Sequence, residues 1–222
     1  MEHEQELHTL IVSAAREIGL TIGNTQAEQF IRYLAQLIEW NKTINLTAIV
    51  EPSEIIIKHF IDSLAVLVAT NFPEQALVLD VGSGGGFPGI PLKIVRPDLQ
   101  LVLIEPVQKK CSFLNSVIGL LKLRGISTFN GTIEQYAKKP FHPIVDMIVL
   151  RALKFEDVRK HAPTLLTSKG KVILYRAEAV QNHEIGDGFH LVDETTFLLP
   201  QESGKRVISV LEKIIHNIIN SI

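Results

Sequence analysis

Leu77-Val78-Leu79-Asp80-Val81-Gly82-Ser83-Gly84-Gly85-Gly86-Phe87-Pro88-Gly89 decides how this chain folds. A short apolar run of strand character ends at Asp80-Val81 and breaks into a glycine-rich loop. An open α/β sheet prepares a nucleotide-shaped pocket in this way, at the carboxyl edge of its first strand. Glycines there let backbone N–H groups approach a ligand with no Cβ in between.

Two spacings fit the loop. Gly84, Gly86 and Gly89 satisfy G-x-G-x-x-G, with Glu105 about twenty residues further on, which is the pattern of a dinucleotide site. Asp80, Gly82, Gly84 and Gly86 satisfy D-x-G-x-G-x-G, which resembles the first motif of class I S-adenosyl-L-methionine (SAM) methyltransferases. The second reading is favoured. A pyrophosphate needs free N–H groups at a helix N-terminus, and Pro88 and Pro91 remove two of them. Asp80 at the strand end repels a pyrophosphate and suits the ammonium group of a methionine moiety. The alternatives are an NAD(P)-dependent oxidoreductase, a methyltransferase of another RNA, protein or metabolite substrate, and a non-catalytic RNA-binding factor on the same fold.

Composition narrows the class. The 222 residues are 46% hydrophobic, which supplies a sizeable core. Cys111 is the single cysteine, so an internal disulfide is excluded and a reducing compartment is expected. The N-terminus is acidic where a signal peptide is basic, and the expected location is the cytoplasm. No apolar run approaches the roughly 18 residues of a membrane span. The net charge of −2 argues against indiscriminate nucleic-acid binding. Charge is uneven, however. Residues 1–60 carry eight Asp/Glu and four Lys/Arg, while residues 61–222 carry sixteen and eighteen. Lys93, Arg96, Lys109, Lys110, Lys122 and Arg124 face only Asp98 and Glu105 in their stretch, and form a candidate phosphate-binding face. A merely solvated helix face is the alternative.

Residues 1–70 read as a helical cap, and residues 71–222 as one compact α/β domain. Helical periodicity covers 4–18 up to Gly19, a helix opening at a Thr25-Gln26-Ala27-Glu28 capping box, and a third from Pro52 to about Thr70. Strands are expected near 76–81, 100–104, 126–130, 145–150, 171–175, 189–197 and 206–212. Helices are expected between them near 88–95, 108–122 and 154–167. Alternation implies a parallel sheet, and the last two strands read as an antiparallel hairpin. Seven strands ending in a reversed pair are the Rossmann-like arrangement of class I methyltransferases.

Further candidates follow from position. Glu105 ends the second strand, where a carboxylate accepts both ribose hydroxyls of an adenosine in SAM or NAD. Ile133 and Glu134 follow the third strand, where such enzymes bind adenine. Arg151 ends the fourth strand, facing the transferring methyl group, and Leu150-Arg151-Ala152-Leu153 lacks the N/D-P-P-Y/F motif of many amino-methylating enzymes. His59, Asp62 and Ser63 share a helix face at i, i+3 and i+4. They read either as a pair at the pocket mouth or as a polar network joining helices to sheet. No Cys/His spacing suits zinc, and no Walker loop or G-x-S-x-G elbow is present.

Together these residues resemble the RsmG (GidB) family, bacterial methyltransferases acting on guanine N7 of 16S rRNA. The likeness covers nearly the whole chain. It runs through Trp40-Asn41-Lys42-Thr43-Ile44-Asn45-Leu46-Thr47, Lys58-His59 with Asp62-Ser63, and the glycine loop with its Phe87-Pro88-Gly89-Ile90-Pro91 continuation. It continues through Lys109-Lys110, Ile133-Glu134, Arg151-Ala152 and Gly204-Lys205-Arg206-Val207. The resemblance implies SAM contacts at Gly82, Phe87, Ile133, Glu134 and Arg151, and a target guanine in the 530 loop. The partner implied is the small ribosomal subunit or an assembly intermediate. Two positions depart from the family pattern. Glu105-Pro106 stands where an acidic residue followed by Ser is usual, and Arg176-Ala177 where Lys-Gly is usual. Guanine N7 carries a lone pair and no proton, so Arg151 is expected to position rather than to act as a base. Lys109, Lys110, Lys122, Arg124 and His59 are the expected RNA contacts. No metal is expected, and the chain is expected to be a monomer.

Overall fold

The computed structural model describes residues 2–214; Met1 and residues 215–222, which include the end of the expected 71–222 domain, lie outside the described residues. Two helices open the chain, α1 (Glu2–Glu17) and α2 (Asn24–Asn41). A third runs through α3 (Pro52–Ile55), a π-helical stretch (Ile56–Ile61), α4 (Asp62–Leu64) and α5 (Val66–Ala69). After these come β1 (Leu77–Val81), α6 (Gly89–Val95), β2 (Gln100–Glu105), α7 (Gln108–Leu120), β3 (Ile126–Asn130), α8 (Ile133–Ala137) and β4 (Val145–Arg151). The chain continues through α9 (Glu156–Arg159), α10 (Ala162–Leu165), β5 (Leu166–Arg176), α11 (Asn182–Ile185), β6 (Phe189–Leu198) and β7 (Lys205–Lys213).

The seven strands form one sheet in the order β3-β2-β1-β4-β5-β7-β6. β1 to β5 run parallel, and β7 pairs antiparallel with both β5 and β6. This is the Rossmann-like class I methyltransferase architecture expected from the strand spacing.

Side chains alternate across the pleat, and the sheet has two buried faces. Val78, Leu101, Leu103, Met147, Val149 and Ile173 join the core built with α1, α2, the third helix, α6 and α7. Leu79, Ile104, Ile148, Leu150, Val172 and Leu174 join the core built with α8 to α11. The N-terminal helices therefore share a continuous core with the sheet. At its centre Phe60 is fully buried, with ring centroids 5.1 Å from Phe30 and 5.0 Å from Tyr33.

Three local expectations are corrected. The cap of α2 falls on Gly23, whose N–H donates to Gln26 Oε1 (3.0 Å), while Gln26 Nε2 donates to the Ile94 and Val95 carbonyls at the end of α6. Gln26 thus serves the packing of two helices, and Thr25 does not cap. The helix expected over 154–167 is two single turns, with Pro163 at the start of the second, and β5 already begins at Leu166. The loop after β3 contains helix α8, opened by a reciprocal cap. Gln135 N–H donates to Thr132 Oγ1 and Thr132 N–H donates to Gln135 Oε1.

Phe60→Ala removes a fully buried ring from this junction, and its expected cost is about 3–5 kcal/mol. Urea unfolding followed by circular dichroism measures it. A loss below about 1 kcal/mol would mean that the helical layer does not depend on this packing.

Candidate functional site

Strand order reverses between β2-β1 and β4, the place where open α/β sheets bind ligands outside their carboxyl edge. A cavity of about 520 Å³ opens there, lined by Gly82 and Gly84 of the loop, Glu105 of β2, Gly131 to Glu134 at the start of α8, and Leu153 after β4. Small-molecule sites run from roughly 300 to 1,000 Å³. Glu105 organises it. Its Oε2 accepts the Gly84 N–H (2.8 Å) and its Oε1 accepts the Val107 N–H (2.9 Å). The carboxylate is 4% exposed, and each oxygen keeps a lone pair for a ligand hydroxyl. Ile133 supplies an apolar wall, and the Gly131 N–H donates back to the Glu105 carbonyl (3.1 Å). Gly82 has φ +74°, and a Cβ there would stand 2.5 Å from Leu153 Cδ1, so a side chain here is strained and must displace Leu153.

The loop has a second side that does not face the cavity. Asp80 is fully buried behind it. Asp80 Oδ2 accepts the Gly89 N–H (2.9 Å), whereas Oδ1 has no partner among the described residues. Burial pushes its carboxyl up to about 7. Gly86 packs against Tyr33 and Ile90, and the Tyr33 hydroxyl donates to the Gly85 carbonyl. Phe87 is 7% exposed and stacks on His59, ring centroids 4.6 Å apart. Asp80, Gly86 and Phe87 therefore shape the loop from behind and do not line the cavity. The first turn of α6 also has no N–H to spare. Gly89 donates to Asp80, Ile90 donates to the Gly86 carbonyl, and Pro91 has none. A pyrophosphate finds no donors there, which removes the structural basis of the dinucleotide reading.

Arg151 likewise points away from the cavity, into the helical layer. Its Nη1 donates to the His59 carbonyl and to Ser63 Oγ (both 3.2 Å) and lies 3.3 Å from Asp62 Oδ2. Its guanidinium sits 5.2 Å from the Phe87 ring centroid. Asp62 is fully buried and is also held by Arg206 through Nε and Nη2, the latter at 2.8 Å. His59 Nδ1 accepts from Arg151 Nη2, so Nε2 carries the proton and donates to Thr47 Oγ1 (2.6 Å). Burial, and then the Arg151 charge, hold His59 down at about 3. His59 is thus a neutral ring with both nitrogens engaged, and neither is free for an RNA phosphate. The polar-network reading of His59, Asp62 and Ser63 describes them. Asn41 closes the turn before Thr47, its Oδ1 accepting the Leu46 and Thr47 N–H groups (2.9 and 3.1 Å).

The residues of the expected basic face are spread over the fold. Lys110 lines the cavity and Lys109 is exposed beside it. Lys122 and Arg124 lie beyond the far end of the 13-residue α7, roughly 20 Å along its axis at 1.5 Å per residue. Lys93 is buried and caps the Pro97 and Leu99 carbonyls, and Arg96 is paired with Asp98 (2.7 Å). Glu134 turns outward to Lys138 (2.6 Å), which lowers its pKa, so it is the start of α8 rather than this carboxylate that shapes the wall. Leu153, Asp157, Val158 and His161 line the cavity unforeseen. Leu153 ends the stretch after β4, and the other three stand in the segment expected to be one helix over 154–167. Their only clue in sequence is that they follow β4 at the carboxyl edge.

Asp80 makes a pH prediction. Its folded pKa lies above its unfolded one, so folded protein keeps a proton that unfolded chain releases between about pH 4 and 7. Wild-type stability therefore falls through that window as pH rises. Asp80→Asn keeps an acceptor for Gly89 and carries no charge. The stability of the variant relative to wild type is expected to grow from near zero at about pH 4 to a few kcal/mol above about pH 7. Thermal unfolding across the range measures it, and a difference independent of pH would contradict the buried charge.

The chain has relatives by sequence. The model of the GidB family, described as rRNA small subunit methyltransferase G, matches residues 26–188. A ribosomal RNA small subunit methyltransferase G of Lachnoclostridium phytofermentans is 36% identical over 217 residues, covering 93% of this chain and 89% of that protein. One from Staphylococcus epidermidis is 33% identical, covering 89% and 86%. Among solved structures, TrmN from Thermus thermophilus superposes with a TM-score of 0.52 at 19% identity, covering 72% of this chain and 53% of that one. MtNAS, in its complex with MTA and tNA, superposes at 0.52 and 15% identity, covering 94% and 71%. These two show the fold alone. The matched length and the relatives' identity place the chain in the GidB family of rRNA small subunit methyltransferases.

Proposed function

We propose that this chain transfers the methyl group of S-adenosylmethionine to N7 of a guanine in the 530 loop of 16S rRNA, in the small subunit or an assembly intermediate. One observation carries the cofactor reading. A nearly buried Glu105 holds the glycine loop and the start of α7 while keeping free lone pairs toward a cavity at the sheet's switch point. The membership of the chain in an rRNA methyltransferase family supports the acceptor.

The cofactor is S-adenosylmethionine, and the residues present fit it. Glu105 would hold the ribose hydroxyls, and Ile133 with the backbone of Gly131 to Glu134 would hold the adenine. Gly82 and Gly84 keep the floor open. The bound cofactor supplies an electrophilic methyl on a sulfonium.

Guanine N7 needs no base, because its lone pair lies in the ring plane and carries no proton. The protein's part is proximity and alignment. Arg151 is a positioning residue in this scheme, fixing Phe87 and the third helix behind the loop. N7 lies in the deep major groove of A-form RNA, which side chains do not enter. The target is therefore unpaired or splayed when methylated, with Lys109 and Lys110 on its phosphates. The reaction takes place where the small subunit is built, in the cytoplasm, and a monomer suffices for it. Residues 1–70 serve as a cap on the methyltransferase domain of residues 71–222.

Labelled transfer to rRNA and small subunits from a strain lacking the gene tests the acceptor, with the modified base identified by mass spectrometry. Label at N7 of a 530-loop guanine is expected, and label on another base, another RNA or a protein would replace that assignment. Gly82→Ala is expected to weaken SAM binding at least about tenfold in calorimetry, because its Cβ drives Leu153 into the cavity. Unchanged affinity would move the cofactor elsewhere.

A further inference from the structure

A second cleft opens beside the cofactor cavity, with a volume of about 510 Å³. It lies at the carboxyl ends of β4 and β5 and is lined by Ala152, Leu153, Lys154, Tyr175, Arg176 and Glu184, among others. Leu153 borders both spaces and is 42% exposed. Ala152 before it has φ +61°, an uncommon conformation for a residue with a side chain, and it turns the chain at this shared wall. A flat molecule in the second cleft thus meets the cofactor cavity across one leucine.

The polar groups of the cleft are paired in a particular order. Arg176 Nη2 donates to both oxygens of Glu184 (2.9 and 3.0 Å), and Arg176 Nε donates to the Glu178 carbonyl (3.2 Å). Glu184 Oε2 also accepts the Gln181 N–H (2.7 Å), so the spare acceptor capacity lies on Oε1. Arg176 Nη1 makes no hydrogen bond among the described residues, and the pair is about a quarter exposed (26% and 21%). The site therefore offers a donor from Nη1 next to an acceptor at Glu184 Oε1. The Gln181 amide and Arg176 keep that carboxyl below its usual range, so the acceptor stays ionised.

We propose that this cleft receives the base to be methylated, and that Arg176 and Glu184 read the Watson–Crick edge of guanine, Arg176 on O6 and Glu184 on N1–H and the adjoining N2 amine. The inference rests on the reading above that the acceptor is a guanine. Around the purine ring N7 is followed by O6, an acceptor, and then by N1–H and the N2 amine, both donors. A donor beside an acceptor complements that edge. Adenine presents an amine and then a bare N1, the opposite order, and leaves both Arg176 and Glu184 mismatched. With this edge held by the pair, N7 stays free of hydrogen bonds and is left to the Leu153 side. When the N7–carbon bond forms and the sulfur–carbon bond breaks, positive charge moves from sulfur to the purine. A carboxylate on N1–H stabilises that cation. Lys154 is exposed at the rim and without an ion pair among the described residues, in position for the adjoining phosphate.

The test pairs a protein change with a base change. Wild type, Glu184→Gln and Arg176→Lys are assayed for methyl transfer to reconstituted small subunits carrying guanosine or inosine at the target, with SAM affinity measured by calorimetry. Inosine keeps O6, N1–H and N7 but lacks the N2 amine. Wild type is expected to favour guanosine by at least about tenfold in kcat/KM, and Glu184→Gln by less than about threefold, with SAM affinity unchanged. Arg176→Lys keeps the charge and loses the fork, and is expected to raise KM on both substrates. A merely structural role for Glu184 would lower both substrates equally. That equal ratio, or full activity of Glu184→Gln, overturns the inference alone. Absence of wild-type transfer to the guanosine substrate overturns the functional reading and this inference with it.

Discussion

A single buried charge sets the relation between the helical layer and the sheet. Asp62 has no exposed surface, and a carboxylate in that position persists only if it is paired and hydrogen-bonded. Its partners come from two strands. Arg206 stands near the start of β7 and Arg151 at the end of β4, and antiparallel β7 brings both to the same edge of the sheet. The third helix is thereby held over the carboxyl edge, where the loop after β1 also emerges. The rest follows in sequence. Arg151 leans on Phe87, Phe87 stacks on His59, and His59 stays neutral because it is buried beside a guanidinium. The back of the glycine loop rests on this arrangement.

The loop divides its labour between two sides. Gly82 and Gly84 give a smooth floor, anchored by Glu105 through two backbone amides. Gly86 and Phe87 give a packed surface against Tyr33 and Phe60. Ligand-facing backbone is thus held in place by contacts that a ligand need not supply. Preorganisation of this kind spares a binding event the entropy of ordering a loop.

The fold was largely legible because the pleat writes itself into sequence. Val78 and Leu79, or Leu103 and Ile104, are apolar on both faces, as buried parallel strands must be. The element starts were legible where a residue has one physical role, as Pro52 does at a helix start. They were not legible where a side chain serves another element. Gln26 caps α2 and ties α6, and Thr25 beside it looked the better cap. Glu105 at the end of β2 and Ile133 at the start of α8 fall on the cavity wall where the sequence put them, because topology fixes where those two segments emerge. The sequence did not show that Asp80, Phe87 and Arg151 turn toward the helical layer, because that depends on which face of the sheet each side chain meets. Lys122 and Arg124 stand apart from Lys109 because nearness in sequence does not survive the length of α7. Leu153 is marked in the sequence only by following β4, and the approach of Gly82 shows its place.

The π-helical stretch Ile56–Ile61 bears on how this chain tolerates change in length. Each helical residue turns the following ones by about 100°. A π segment holds one residue more than an α-helix would over the same rise. Loss of one residue between Ile56 and Ile61 would leave a regular, fully hydrogen-bonded helix, and would rotate Asp62 and Ser63 away from Arg206 and Arg151. The extra residue is therefore a spacer that keeps two halves of one helix in phase with different strands. Insertions and deletions here should be rarer than substitutions, although the helix itself would survive them.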